Sequence, residues 1–128
     1  MNDSDLGTLV SSWILAREVE RDSSIFKDNW WAIKKVMSLA DDDPDSLWQF
    51  ILHAYNKNMS EKAQAVFAAG PLEDLISKHG SEFIERIEQL AKQDKLFSEL
   101  LGGVWRGAMV SDEVWSRIEN VWGGPWDD

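Results

Sequence analysis

Five side chains in the second half of the sequence carry the chemistry of an active site: Glu73, Asp74, His79, Glu88 and Arg106. Carboxylates near an imidazole can exchange protons with a substrate or hold a metal. The spacing works against a tight constellation, because Glu73 and Asp74 are adjacent and project about 100° apart on a helix. His79 falls at the end of the same short helical pattern. A structural role competes with the chemical one: two carboxylates in a first turn and a donor in a last turn complement the helix dipole. Other chemistry is thin. The chain has no cysteine, which removes thiolate metal sites, a Cys nucleophile and disulfides. Asp41, Asp42 and Asp43 with Asp45 lack the glycine and closing glutamate of a calcium loop, so capping explains them better. His53 sits on a nearly all-apolar segment and reads as a hydrogen-bonded core histidine. No phosphate-cradling loop, nucleophile elbow or zinc helix is present. The expectation is no metal, no cofactor and no assigned catalytic residue.

The elements that must position these residues are helices. Apolar residues Leu6, Leu9, Val10, Trp13 and Ile14 have the three-and-four spacing of an amphipathic helix over residues 5–19. A second helix is predicted over 27–39. A third, over 45–56, opens at Asp43 as cap and Pro44 as first helical residue; it is apolar almost all round, hence central. Ser60 caps a helix running to residue 69. Gly70 then breaks the pattern and Pro71 starts a short helix over 71–78, closed by Gly80 in a left-handed cap. Another helix covers 81–93. Asp94 caps a short one ending at Gly102-Gly103, and Ser111 opens the last, which stops at Gly123-Gly124-Pro125. No segment alternates like a strand. The prediction is an all-α single domain, residues 1–128, of seven or eight short helices. The heptapeptides Glu82-Phe83-Ile84-Glu85-Arg86-Ile87-Glu88 and Glu113-Val114-Trp115-Ser116-Arg117-Ile118-Glu119 echo each other. That echo admits repeat-like stacking or, more simply, the shared grammar of amphipathic helices.

Charge narrows the partners. Thirteen basic against 23 acidic side chains give a formal net charge of −10. Such a surface repels phosphate backbones and anionic lipid, so neither nucleic acid nor membrane is expected as a partner. It suits solubility or a basic protein partner. The acidic start, Met1-Asn2-Asp3-Ser4-Asp5, is unlike a secretory signal, and the cytoplasm is the expected location. Eight tryptophans are the compositional oddity. Trp48, Phe50, Phe83, Phe97 and Trp115 fit core positions. Trp30 and Trp31 cannot both point inward, so one of them, and Trp126 beside Asp127 and Asp128, are candidates for exposure. An aromatic in an acidic rim makes a binding anchor; the candidate binding residues are therefore Trp31, Trp126, Asp41, Asp42, Asp43, Asp127 and Asp128.

The block Ala69-Gly70-Pro71-Leu72-Glu73-Asp74-Leu75, with His79-Gly80, Ile84-Glu85-Arg86-Ile87-Glu88, Phe97 and Leu101-Gly102-Gly103-Val104-Trp105, resembles a family of small bacterial proteins known only as a domain of unknown function. The match covers the second half of the chain and, more loosely, the Trp-bearing helices before it. The resemblance implies a fold and a bacterial source but no catalytic residue. By analogy, small acidic bacterial proteins of this sort are often immunity proteins or antitoxins. The leading expectation is accordingly a non-enzymatic inhibitor that covers the basic site of a toxin. An enzyme or small-ligand protein built on Glu73, Asp74, His79, Glu88 and Arg106 is the alternative. A structural or regulatory subunit, dimeric through an exposed tryptophan, is the third reading.

Overall fold

The computed structural model of the protein describes residues 1–126. Its elements are α1 (Asp3–Glu18), α2 (Ser24–Asp42), α3 (Pro44–Ala54), α4 (Glu61–Phe67), a π-helical turn (Ala68–Leu72), α5 (Glu73–Gln93), α6 (Lys95–Leu101) and α7 (Asp112–Val121). There is no strand among the described residues, so the chain is all-α. Joined where they run on without a break, these elements make six helices, not seven or eight.

Local hydrogen bonding explains most helix starts. Asp43 Oδ1 accepts from Ser46 N at 3.2 Å, Ser60 Oγ from Ala63 N at 3.1 Å, Asp94 Oδ1 from Leu96 N at 3.0 Å and Ser111 Oγ from Val114 N at 3.2 Å. Each satisfies an amide that the first turn leaves without a helical partner. Two starts come earlier than expected. Asn2 caps α1 through Asp5 N, and Ser23 caps α2 through Phe26 N. At its far end α2 continues through Asp41 and Asp42, and Asp43 (φ −155°, ψ 75°) is the non-helical residue that separates it from α3.

The segment from Ala68 to Gly80 departs from the sequence reading. Pro71 does not begin a new helix; it lies inside a helical path that continues from α4 into α5. Pro71 has no N–H to give and its ring crowds the carbonyl four residues back. The wider π turn relieves both problems: Glu73 N–H reaches Ala68 O, five residues back, and Gly70 O. At His79 the backbone leaves helical angles (φ −138°, ψ 24°), a kink that divides α5 into two helical stretches close to the boundary expected at Gly80. Gly80 is not a left-handed cap, since Gly124 (φ 93°) is the one positive-φ glycine among the described residues. A Cβ on Gly80 would stand 3.0 Å from Val114 Cγ1, so this glycine lets α5 approach α7 closely. The stop signal at Gly70-Pro71 is absorbed by the π turn, whereas the one near Gly80 coincides with the kink at His79.

By internal contacts the chain divides into two units, Met1–Val66 and the part from Phe67 onward. In the first, α1, α2 and α3 pack pairwise. Trp13 meets Phe50 edge to face at 5.7 Å and 72°, both rings fully buried. α3 is the apolar centre expected, burying Leu47, Trp48, Phe50, Ile51 and Ala54. The Ser60 N–H donates to Glu18 Oε2 at 2.7 Å and fixes the chain after α3 to the end of α1.

In the second unit α5 packs on α6, α7 and the π turn, burying Phe83, Ile87, Phe97 and Ile118. The two echoing heptapeptides lie on α5 and α7, with Phe83 and Ile87 buried as are their counterparts Val114 and Ile118. After α7 the chain folds back on α6. Gly123 N donates to Ser98 O at 3.0 Å, Trp126 N to Gly102 O at 2.9 Å and Trp126 Nε1 to Glu99 O at 2.7 Å. A Cβ on Gly102 would collide with the Gly124 carbonyl, and one on Gly103 would lie 2.9 Å from Ala68 Cβ. Gly102→Ala is expected to undock this tail and cost about 1–3 kcal/mol, the net value of a few hydrogen bonds. Hydrogen exchange checks it: the Gly123 and Trp126 amides should lose protection, and unchanged protection would refute the close-contact account.

Candidate functional site

The five acid–base candidates do not converge. Glu73 Oε1 accepts the backbone N–H of Trp105 at 2.8 Å. Because the helix runs on through this point, Glu73 and Asp74 do not face an open helix terminus, and the dipole reading for them is also set aside. Arg106 Nη2 donates to Val110 O at 3.1 Å and to Asp112 Oδ1. Glu88 forms a two-point fork with Arg117, Nε to Oε2 at 2.9 Å and Nη2 to Oε1. His79 lines a hollow of about 290 Å³ with Lys78, Glu82, Met109 and Ser111, but Glu73, Asp74, Glu88 and Arg106 do not line it. No cluster of three or more His, Asp or Glu among the described residues is placed to hold a metal. His53 is exposed, not a core residue, and its Nδ1 lies 2.8 Å from Gln49 O of its own helix.

The Glu88–Arg117 fork has an electrostatic consequence. The hydrogen bonds from Arg117 hold the Glu88 carboxyl below its usual range, against a smaller opposing effect of burial. Arg117 is raised in turn, by Glu88 first and by Glu85 and Glu113 at longer range. A depressed carboxyl stabilises the fold above its unfolded pKa of about 4.3 and loses that contribution as pH falls through the folded value. Glu88→Gln should therefore be less stable than the parent at neutral pH, with the difference closing below about pH 4. Urea midpoints at pH 7 and pH 3 test this, and an equal gap at both would refute it. Asp43, lowered by its hydrogen bonds with Ser46, adds to the parent's acid sensitivity and should persist in the variant.

Of the binding candidates, the structure brings Trp31 and Asp43 to one groove of about 480 Å³, with Asp5, Leu9 and Lys35. Asp41 and Asp42 are exposed at the end of α2. Both members of the Trp30-Trp31 pair, not one, are exposed, at 40% and 46%. Trp126 is 42% exposed but its indole N–H is committed to Glu99 O. Asp127 and Asp128 lie outside the described residues. Trp115 is half-buried and meets Trp122 edge to face at 5.5 Å.

The residues that the sequence reading passed over are Trp105, 73% exposed, and Met109, 85% exposed. They stand on the loop between α6 and α7, and the former active-site candidates brace that loop: Glu73 holds the Trp105 amide and Arg106 ties Val110 to Asp112. The signal was there to find. Residues 102–110 contain three glycines and no helical period, so their large apolar side chains have no amphipathic face on which to bury. Exposed carboxylates stand where the loop enters α7, Asp112 and Glu113, and along α5, Glu82 and Glu85. Glu85 and Glu113 both act on the guanidinium of Arg117, which Glu88 holds, so these carboxylates gather where α5 meets α7.

A model of a family of unknown function (DUF6869) matches residues 19–125, everything from the end of α1 to just short of the last residues. The chain belongs to this family. Its membership agrees with the expected resemblance to a family of unknown function; the Gly70-Pro71 and Gly102-Gly103 blocks meet in space where Gly103 packs on Ala68 and Glu73 holds Trp105. No curated protein and no solved structure matches the chain.

Proposed function

We propose that this family member is a non-enzymatic acidic protein-binding module, an immunity-type inhibitor acting in the bacterial cytoplasm on a toxin with a basic surface. The observation that carries the reading is the braced 104–110 loop, which offers Trp105 and Met109 to solvent beside the carboxylates of α5 and α7. A rigid aromatic anchor loses little conformational freedom on binding, and anchors of this kind dominate interface energetics. The carboxylates would steer a basic partner into place. The net charge of −10 supports the same polarity. No helix among the described residues is long and apolar enough to cross a membrane. The alternative, an enzyme built on the five acid–base residues, is disfavoured by the commitment of Glu73, Glu88 and Arg106 to loop and interhelix contacts.

Capture of the partner from the native host, followed by a binding titration at low and high salt, tests the proposal. Affinity should fall as salt rises, chiefly through slower association, and Glu82→Lys with Glu113→Lys should mimic the salt effect without unfolding the protein. A salt-independent complex, or no protein partner, would overturn it.

A further inference from the structure

The outer face of α2 carries a second, independent pattern. Lys27, Trp30, Trp31, Lys34, Met37 and Asp41 recur at the three-and-four spacing of a helix–helix seam, and all six are exposed. The opposite face, with Phe26, Ile33, Val36 and Leu39, is already buried against α1 and α3. Trp30 and Trp31 sit on either side of the seam, with Met37, 58% exposed, one to two turns further on.

Charge along this seam is polarised against the helix. α2 has no acidic residue in its first turn and no basic one in its last, where Asp41 and Asp42 lie at the negative end of the dipole. Its cations, Lys27, Lys34 and Lys35, occupy the first two-thirds of the helix, where Asp28 is the one acid and lies off the seam. A surface of this kind is complementary to itself when inverted. Two copies set antiparallel with Lys34 at the two-fold axis place Lys27 of each opposite Asp41 of the other, and Trp31 opposite Met37. The inverted partner also brings cations to the helix end that lacks them, and it opposes the two macrodipoles.

We propose that a second copy of this chain docks on α2, forming a two-fold symmetric antiparallel α2–α2 homodimer centred on Lys34. One helix face buries less than the roughly 1,200 Å² typical of stable interfaces, so the dimer is weak and concentration-dependent, micromolar or weaker. Lys34 meeting its own symmetry mate is the one unfavourable contact, and Lys34→Met should strengthen association. None of the six seam residues belongs to the loop or carboxylates proposed as the toxin-facing surface, so either proposal can fail alone.

Sedimentation of the full chain across a concentration series, with cysteine cross-linking, tests it. The chain's lack of cysteine makes the second measurement clean. The parent should show a reversible dimer, and Met37→Glu should weaken it about tenfold or more. Lys34→Cys should oxidise readily to a covalent dimer. Lys27→Cys should not, because the antiparallel register holds the two copies of residue 27 about 21 Å apart. Lys27→Asp should weaken the dimer, and adding Asp41→Lys should restore it. A monomer at all concentrations, unaltered association in Met37→Glu, or cross-linking at position 27 equal to that at 34 would each overturn the proposal.

Discussion

Phe83→Ala is expected to cost about 3–5 kcal/mol of stability, most of it through a cavity that the surrounding structure cannot close. Phe83 is fully buried on α5, and one turn before it Gly80 already brings that helix into contact with Val114 of α7. Helices that touch at one point cannot slide together at the next to refill the space. The ring also carries the Arg86 guanidinium 4.7 Å above its centroid, an attraction that alanine removes. Trp48→Ala belongs in the same range for the first unit, where the side chain is 7% exposed on the central α3. Set against a total of about 5–15 kcal/mol, either loss is large enough to read directly from urea or guanidinium midpoints. A loss below about 1 kcal/mol would place the residue outside the core.

Trp105→Ala is expected to act in the opposite sense, leaving the fold alone and damaging recognition. A side chain that is 73% exposed contributes little to folding, so stability should change by less than about 0.5 kcal/mol. Its loss from the complex should raise the dissociation rate and cost about 2 kcal/mol or more, roughly thirtyfold in affinity. Trp126 separates the two effects. With its indole N–H on Glu99 O and its amide on Gly102 O, Trp126→Ala should lower stability as well as, or instead of, affinity. Glu73 supplies a further contrast. Glu73→Ala should release the loop and weaken binding, whereas Glu73→Gln keeps an oxygen acceptor for the Trp105 amide and should bind nearly as well as the parent. A chemical role would erase that contrast, because neither alanine nor the amide can exchange a proton as a carboxylate does. Dissociation rates of the four variants against the captured partner decide between them, and an unaltered rate for Trp105→Ala would remove the loop from the interface.

Much of the architecture was legible in the sequence because it rests on short-range physics. Amphipathic spacing places the helices, and a cap is a hydrogen bond to an amide two or three residues away, so Asp43, Ser60, Asp94 and Ser111 act as their types and positions announce. The misreadings share one cause. Gly70-Pro71 looks like a stop signal when only propensity is weighed, but a π turn absorbs the proline; near Gly80 the helix does break, at His79, yet the glycine itself serves the approach of Val114 and not a left-handed cap. Gly102 is small because Gly124 and Trp126 return to it. Glu73 and Trp105 are 32 residues apart, and Glu88 and Arg117 are 29, so no local pattern could say that two acid–base candidates were braces. The sequence by itself determined where the chain is helical and how most of those helices begin, since each such choice is settled within one turn. Only the tertiary structure decided which glycines are contacts, which carboxylates are structural and which tryptophans reach solvent, because those depend on the side of a helix that another segment comes to cover.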